Sequence, residues 1–330
     1  MELTWELRDY DREFFDKELD SFVPDRIFDA HVHLYERWHW KNQTPLEPGP
    51  KTASLEIFQD QIQWITPGRE THALCFGGGL YEDTYRVSNE FLAAEVAKDL
   101  DSRGQLIVSP RMDPEEVRQE SRRLGMVGLK VYHLFANRAD TQQAEIEEFL
   151  VEEHVRIAHE EGFTITLHMV KNRALADPGN QERIRYYCET YPNIRLILAH
   201  TARGFNPSHT IEGIDSLKGL PNVWFDTSAV TEAGGFEAIV DTFGHQRLIW
   251  GSDYPISHMR GRCIAIGDEF LWISENTLDW KTMSVTEIRP YLIGLESLRA
   301  LKLAAHRLRL SDPQIEDIFY NNSVQMLGLS

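Results

Sequence analysis

Eight short apolar, β-branched runs recur along this chain between stretches with helical periodicity, and this alternation constrains the fold most strongly. The helical stretches include 84–100, 143–162 and 236–244. The apolar runs lie at 26–34, 71–78, 105–112, 127–135, 163–170, 194–201, 222–229 and 247–255. Strands that alternate with helices imply parallel strands joined by right-handed crossovers. The pattern predicts an α/β fold, a (β/α)8 TIM barrel, with a doubly wound open sheet as the alternative.

Two connections are too long for ordinary loops. Residues 35–70 follow the first predicted strand, and residues 256–290 follow the eighth. Such connections are usually functional lids or disordered segments, and the tryptophans in both favour packed lids. We expect residues 1–24 to form an N-terminal helical extension and residues 291–330 to form C-terminal helices. We therefore predict one domain over residues 1–330.

Charge and composition exclude several classes of function. The 330-residue chain has a formal net charge of −18, which argues against binding a nucleic acid or an anionic membrane surface. No apolar stretch approaches the roughly 18 residues of a membrane span, and the acidic N-terminus lacks the regions of a signal peptide. Cys75, Cys188 and Cys263 are widely spaced and indicate neither a disulfide framework nor a cysteine zinc site. We expect a cytoplasmic protein.

Side chains that commonly bind metals stand at the ends of four predicted strands. His31 and His33 end the first strand, His168 the fifth, His200 the sixth and Asp253 the eighth. Each histidine alone can equally be a hydrogen-bonded core residue. The carboxyl ends of the strands of a parallel barrel lie on one face, however, where active sites are found. The five side chains are therefore expected to converge there.

Imidazoles with a carboxylate suit Zn²⁺ and other late divalent ions, and a catalytic zinc keeps one coordination position for water. The metal lowers the pKa of that water toward about 7. A neighbouring carboxylate can take the proton, and a further histidine can polarise the bond under attack. The same donors also accept manganese, cobalt or iron.

Several motifs resemble a known family when their order and spacing are considered together. They are DAHVHL (29–34), LHM (167–169), LAHTARG (198–204), WGSDYP (250–255) and IFYNNSVQMLGL (318–329). The set resembles the amidohydrolase superfamily, and most of all the amidohydrolase-2 branch, which also contains the aminocarboxymuconate-semialdehyde decarboxylase type. The resemblance runs from about residue 26 to residue 328.

This resemblance implies a metal held by His31, His33, His168 and Asp253. Asp253 would also take the proton of the attacking water, and His200 would lie beside the metal and stabilise the developing oxyanion. In binuclear relatives a lysine of the fourth strand is carboxylated and bridges two metals, and Lys130 stands there. Because the nearest branch resembles a mononuclear site, we expect one divalent ion, zinc before manganese, cobalt or iron, and disfavour a second.

Residues near the predicted rim are candidates for substrate binding. Aromatic and histidine side chains would line the pocket, and arginines would pair with a substrate carboxylate despite the acidic background, because the guanidinium fork matches a carboxylate bidentately. An ordinary surface ion pair is the alternative for each arginine. The candidates are Tyr35, Trp38, Tyr132, His133, Arg111, Arg203, Arg260 and Arg262.

We therefore expect a metal-dependent hydrolase that cleaves an amide, a lactone or a related bond in a small carboxylate-bearing molecule. The first alternative keeps the site and changes the reaction to a non-oxidative decarboxylation of a small unsaturated or aromatic acid, a carbon–carbon lyase. The second is a catalytically silent barrel that binds metal. The expected partner is a small organic acid, amide or lactone, and the resemblance is compatible with a homodimer.

Overall fold

The computed structural model describes residues 5–40, 49–275 and 288–329. Its main sheet has nine strands in the order β2-β1-β3-β4-β5-β6-β7-β8-β9. These are β1 (Arg26–Glu36), β2 (Thr52–Ala53), β3 (Glu70–Gly77), β4 (Arg103–Ile107), β5 (Gly128–Tyr132), β6 (Thr164–His168), β7 (Arg195–Leu198), β8 (Val223–Asp226) and β9 (Leu248–Ile249). Strand β2 pairs antiparallel with β1, whereas the other neighbours are parallel.

Backbone hydrogen bonds close this sheet between β1 and the segment that follows β9. The His33 amide donates to the Tyr254 carbonyl at 2.9 Å, and the Asp253 amide donates to the His31 carbonyl at 3.0 Å. The eight parallel strands each overlap one of the eight predicted runs. The predicted (β/α)8 TIM-barrel fold is therefore confirmed, and its closure places Asp253 beside the two histidines of β1.

The α-helices surround the sheet, and several begin and end at sequence signals. The helix Pro114–Arg123 follows Asp113, whose side chain accepts hydrogen bonds from the amides of Glu115 and Glu116. The other α-helices are Asp9–Phe14, Leu55–Gln61, Tyr85–Val96, Glu152–Glu161, Pro178–Thr190, Pro207–Gly213, Gly234–Phe243, Ile293–Leu308, Asp312–Glu316 and Asn322–Leu327. None of the helices in the described ranges is long and apolar enough to cross a membrane.

The helix predicted over residues 143–162 is shorter than expected. Its α-helical part is Glu152–Glu161, preceded by the 3-10 turns Thr141–Gln143 and Ile146–Glu148. Val151 is extended, with φ −69° and ψ 146°, which separates the two parts. The apolar positions that suggested a single helix are still buried. Ile146, in the second 3-10 turn, and Phe149, directly after it, both lie in the core.

The two long connections carry secondary structure of their own. The first contains the 3-10 turn Arg37–Trp40, β2 and the helix Leu55–Gln61, and its residues 41–48 lie outside the described part of the chain. The second contains an antiparallel hairpin of β10 (Gly261–Ile266) and β11 (Glu269–Ser274). Its residues 276–287 also lie outside the described part. The hairpin is called the lid hairpin below, and its function as a lid stays a prediction.

The N-terminal segment packs against the base of the lid hairpin. Arg260 stands directly before β10, and its guanidinium donates to both carboxylate oxygens of Asp11, at 2.9 and 2.8 Å. Arg8 donates to both carboxylate oxygens of Glu275, directly after β11, at 2.5 and 3.2 Å. Residues 5–24 therefore hold both ends of the hairpin.

Candidate metal centre at the barrel mouth

Three of the predicted metal ligands meet at the carboxyl end of the barrel. Donor atoms of His31, His33 and Asp253 lie within 4.8 Å of one another, and all three residues are buried. Asp253 Oδ1 lies 3.4 Å from His31 Nε2 and 3.7 Å from His33 Nε2. Gly251 permits this close approach, because a Cβ atom there would lie 3.0 Å from the Cβ of His31. The prediction of a shared site for these three residues therefore has a geometric basis.

Asp226, at the end of β8, orients one of these histidines. Its Oδ2 lies 2.9 Å from His31 Nδ1, and the carboxylate is fully buried. Because a carboxylate accepts hydrogen bonds, the proton of His31 is on Nδ1, and the lone pair of Nε2 faces Asp253. Metal-binding histidines are commonly held in this way. Sequence reasoning missed Asp226, although it lies within the seventh predicted run, NVWFDTSA.

Ser228 connects Asp226 to the candidate catalytic histidine. The Ser228 hydroxyl donates to Asp226 Oδ1 and lies 2.9 Å from His200 Nδ1. The Ser228 carbonyl also accepts from His200 Nδ1 at 3.0 Å, which leaves His200 Nε2 without a proton. His200 Nε2 can then accept the proton of His168 Nδ1, which lies 3.2 Å away. This chain of hydrogen bonds leaves Nε2 of His168 available to a metal.

His168 lies next to the His31 group without joining it. Among the described residues, two groups of three donor atoms within 4.8 Å of one another include His31. One contains His31, His33 and Asp253, and the other contains His31, His200 and Asp226. His168 contacts this set through His200, at 5.0 Å between the ring centroids. Its role as a ligand stays a prediction.

His200 begins a stretch of unusual backbone. His200, Thr201, Ala202 and Arg203 have φ angles of 56°, 58°, 60° and 57°. The left-handed conformation costs roughly 1–2 kcal/mol for each non-glycine residue, so four in a row cost about 4–8 kcal/mol. Such strain persists only where the surroundings enforce it, and it is frequent at functional sites. We call residues Ala199–Arg203 the left-handed turn.

Lys130 enters the same centre from β5. Its Nζ lies 3.2 Å from His31 Nε2 and 3.8 Å from the centroid of the Phe76 ring. Burial lowers the pKa of Lys130, and the negative charges of Asp226 and Asp253 oppose this shift. Burial therefore favours the uncharged amine, which is the form that reacts with CO₂ or binds a metal. Whether Lys130 is carboxylated stays a prediction.

The titratable groups of the centre fit a cation. Burial, together with the positive charge of Lys130, lowers the pKa of His31 and His33, so both imidazoles are neutral at pH 7. Burial also lowers the pKa of His200 to about 4. The pKa of Asp253 is raised by burial and by nearby Asp226, and Lys130 opposes the rise. A divalent cation would compensate this buried carboxylate and favour its ionised form.

Some predicted substrate residues lie near this centre. The Tyr132 hydroxyl is 3.3 Å from His33 Nε2, and burial raises the pKa of Tyr132, so it remains a hydroxyl. The ring of His133 lies 6.0 Å from that of His168. Burial lowers the pKa of both His133 and His168, and the charge of Arg203 adds to this shift.

The aromatic residues that follow β1 differ in their position. Tyr35 is 1% exposed and packs edge-on against Trp40, with 5.6 Å between their centroids. Trp40 also lies 6.0 Å from the His33 ring, whereas Trp38 is 52% exposed and contacts His39. Of the two tryptophans, Trp40 therefore lies beside the centre, and Trp38 does not contact His33 in the same way.

Three of the four predicted arginines have other partners. Arg260 is 1% exposed and is bound to Asp11, so the expectation that it meets a substrate carboxylate is corrected: it holds the N-terminal segment. Arg111 is 58% exposed and pairs with Glu82 at 2.8 Å. Arg262 donates to the Thr231 carbonyl at 3.0 Å. Arg203 differs from these three, because it lies on the same short turn as His200.

Comparison with known proteins agrees with this centre. The family model described as Amidohydrolase matches residues 28–329. The chain belongs to this family. The family resemblance found in the sequence is thereby confirmed, and so is the expectation of an enzyme. Family membership and the buried donor set together support a divalent metal ion as the cofactor of this amidohydrolase.

A curated relative and several solved structures add detail. Over 116 residues, the amidohydrolase chain is 31% identical to the L-fucono-1,5-lactonase of Burkholderia ambifaria. That match covers 31% of this chain and 39% of the relative, which is less than half of its length.

Three solved structures share the fold at low sequence identity. A candidate 2-pyrone-4,6-dicarboxylic acid hydrolase from Pseudomonas putida has a TM-score of 0.57 at 16% identity, over 93% of this chain and 98% of that one. A 5-carboxyvanillate decarboxylase from Sphingomonas paucimobilis has a TM-score of 0.55 at 12% identity, over 93% of this chain and 100% of that one. A dihydroxybenzoic acid decarboxylase from Polaromonas sp. JS666, with bound manganese and the inhibitor 2-nitroresorcinol, has a TM-score of 0.56 at 14% identity, over 92% and 97%.

Proposed function

We propose that this amidohydrolase opens the ring of a lactone formed by a small organic acid, such as a sugar acid. The buried group of His31, His33 and Asp253 at the barrel mouth carries the proposal. The local identity to an L-fucono-1,5-lactonase supports a lactone as the substrate.

The residues of the centre divide the work. His31, His33 and Asp253, with His168 as the fourth ligand, would hold a divalent ion, which would supply a Lewis acid and water that ionises near neutral pH. The carboxylate of Asp253 would accept a proton from that water. The resemblance suggested that His200 stabilises an oxyanion, but the tautomer fixed by Ser228 leaves no proton on its Nε2. We therefore propose that His200 acts on His168: its Nε2 accepts the hydrogen bond of His168 Nδ1 and so keeps His168 Nε2 free for the metal.

Arg203 is proposed to bind the free carboxylate of a substrate that carries one, as 2-pyrone-4,6-dicarboxylate does, or the carboxylate that a sugar lactone releases when its ring opens. Its Nε atom is buried without a hydrogen-bond partner, and one terminal nitrogen donates to Gln142 Oε1 at 3.3 Å. Burial lowers the pKa of Arg203, but an arginine stays charged at neutral pH. A carboxylate would satisfy both this charge and the free Nε–H group, because a guanidinium binds a carboxylate through two parallel hydrogen bonds.

Decarboxylation of an aromatic acid is the second candidate. The rings of Phe76 and Trp40 lie 4.7 and 6.0 Å from the His33 ring, which gives the centre a flat apolar wall. Such a wall fits a conjugated ring as well as a lactone. The solved decarboxylases named above share this fold.

The identity of the metal, the number of ions, the oligomeric state and the location belong to the same proposal. We propose zinc as the ion, in one copy per chain, and manganese as the first alternative. A homodimer and a cytoplasmic location complete the proposal.

The test combines metal analysis with a substrate screen. The purified protein, loaded with zinc or manganese, is assayed for acid release from L-fucono-1,5-lactone, related sugar lactones and 2-pyrone-4,6-dicarboxylate. CO₂ release is measured from dihydroxybenzoate and 5-carboxyvanillate. Asp253→Asn should abolish turnover, whereas Asp215→Asn, an exposed carboxylate paired with Lys218, should not change it. Turnover that survives in Asp253→Asn would refute the assigned role, and CO₂ release without ring opening would favour the second candidate.

A further inference from the structure

We propose that the left-handed turn is a positioning element of the active site, held by Thr210 from one side and by the lid hairpin from the other. The turn carries the candidate catalytic His200 at its start and the candidate substrate residue Arg203 at its end. The inference rests on the proposed function for these two residues, and it adds residues to which neither motif nor family resemblance assigned a role.

Hydrogen bonds fix the backbone of the turn at several points. The Thr210 hydroxyl donates to the Thr201 carbonyl at 2.9 Å. The Thr201 hydroxyl donates to the Asp226 carbonyl at 3.2 Å, and the His200 amide donates to the Asp226 carboxylate at 2.8 Å. Asp226 also orients His31, so the turn is tied directly to the metal centre.

Close packing fixes the same turn from the neighbouring helix. A Cβ atom on Gly235 would lie 2.9 Å from Thr201 Cγ2, so the helix Gly234–Phe243 approaches the turn as closely as a glycine allows. Thr201 and Thr210 are both fully buried. The conformation is therefore enforced by contacts on two sides, as a strained backbone requires.

The lid hairpin holds both functional ends of the turn. Phe205 stacks on the His200 ring at 5.2 Å between centroids, with an interplanar angle of 29°. Phe270 and Trp272 of β11 pack on Phe205 at 5.1 and 5.3 Å. The Arg203 guanidinium lies 5.4 Å from the centroid of the Phe270 ring. One strand of the hairpin thus contacts Arg203 directly and His200 through Phe205.

Polar contacts attach the tip of the hairpin to the segment that follows the turn. The Asn206 side-chain amide donates to the carbonyls of Gly267 and Glu269 at 3.1 and 3.0 Å. The hairpin, which follows the eighth barrel strand, and the turn, which follows the sixth, are therefore one packed unit. A disturbance of the turn should displace His200 and Arg203 together.

This coupling predicts a kinetic signature. A residue that only binds substrate should change KM, and a residue that only stabilises the fold should change neither kcat nor KM of the folded enzyme. A residue that holds the turn should change both, because His200 and Arg203 move together and small misplacements are costly in an active site.

The experiment uses five variants of the full chain, two of which, Phe205→Leu and Arg203→Met, test the hairpin side and the substrate side. Thr210→Val removes the hydroxyl that donates to Thr201 and keeps the shape of the side chain, whereas Thr210→Ser retains the hydroxyl. Thr66→Val is the matched control, because the buried Thr66 hydroxyl donates to the Ile62 carbonyl at 3.3 Å, away from the turn. Metal content, hydrogen exchange of the amides of residues 200–204, the affinity for citrate as a small carboxylate probe, and turnover of L-fucono-1,5-lactone are measured.

In Thr210→Val we expect unchanged metal content, about tenfold faster exchange at residues 200–204, and kcat/KM lower by about 10- to 100-fold with changes in both constants. Thr210→Ser and Thr66→Val should resemble the wild type. Phe205→Leu should reproduce the kinetic effect from the hairpin side. Arg203→Met should weaken citrate binding with little change in exchange.

Two results would overturn the inference. The first is exchange in Thr210→Val no faster than in Thr210→Ser. The second is faster exchange with citrate affinity and kinetics that match the wild type. If the wild type turns over none of the lactones, the proposed function fails instead, and exchange together with citrate affinity still decides on the positioning role.

Discussion

The buried ion pair between Arg260 and Asp11 provides a quantitative test of how the N-terminal segment is held. The side chains are 1% and 0% exposed, and Arg260 also donates to the carbonyls of Glu6 and Pro290. Arg260→Met would leave a carboxylate and two carbonyls without these donors inside the protein. Removal of one partner of a buried ion pair typically costs about 3–5 kcal/mol. That is a large part of the roughly 5–15 kcal/mol by which domains are stable.

The assay is equilibrium unfolding in urea, followed by tryptophan fluorescence and circular dichroism. Trp5 stacks on His258 at 5.4 Å and reports on the segment itself. The double variant Asp11→Leu/Arg260→Met should be more stable than Arg260→Met, because it no longer buries an unpaired charge. Arg12→Met, which breaks an exposed pair with Asp9, should leave the midpoint unchanged.

A loss below about 1 kcal/mol in Arg260→Met would refute this reasoning, since it would mean that water or another cation reaches the Asp11 carboxylate. A double variant less stable than the sum of its single changes would refute it as well. That result would show that the pair contributes through its packing rather than through its charge.

Three further predictions concern titration and metal binding. Burial lowers the pKa of His258 to about 4, so between pH 6.5 and pH 4 the unfolded chain binds a proton that the folded chain does not. The free energy of unfolding should therefore decrease by about 1.4 kcal/mol for each unit by which the pH is lowered through this range. Urea midpoints measured over the same range should decrease less steeply in His258→Gln. Asp226→Asn should weaken zinc binding about 10- to 100-fold in a chelator competition, since the carboxylate orients a ligand, and a wild-type affinity would contradict that role. Lys130→Met should retain about one metal per chain in elemental analysis if the centre is mononuclear, whereas a fall from two to one would identify a bridging carbamate.

The barrel and much of its centre were predictable because they follow from periodic patterns. Strand ends lie on one face of a parallel barrel, so His31, His33 and Asp253 could be placed together without any knowledge of contacts. Their convergence within 4.8 Å agrees with that argument. The prediction that His31 and His33 share one face follows from the alternation of side chains along a strand.

Other features depend on contacts that no local pattern indicates. The role of Asp226 comes from its distance to His31, which is 195 residues away in the chain. The left-handed turn contains no glycine among residues 200–203, so its backbone could not be read from residue preferences. Arg203 follows His200 and Arg260 follows Asp253 in the chain, and only packing decides that Arg260 binds Asp11 while Arg203 contacts Gln142 and Phe270.

The attachment of the N-terminal segment to the lid hairpin has a consequence for the order of assembly. Asp11 and Arg260 are 249 residues apart, so during synthesis the carboxylate waits for its partner until most of the chain has been made. At about 5–20 residues per second this delay is roughly 12–50 s. The strands between them can pair in that interval, and the hairpin packs on Phe205 and Arg203 afterwards. The active site would then take shape only after the eight barrel strands have been made.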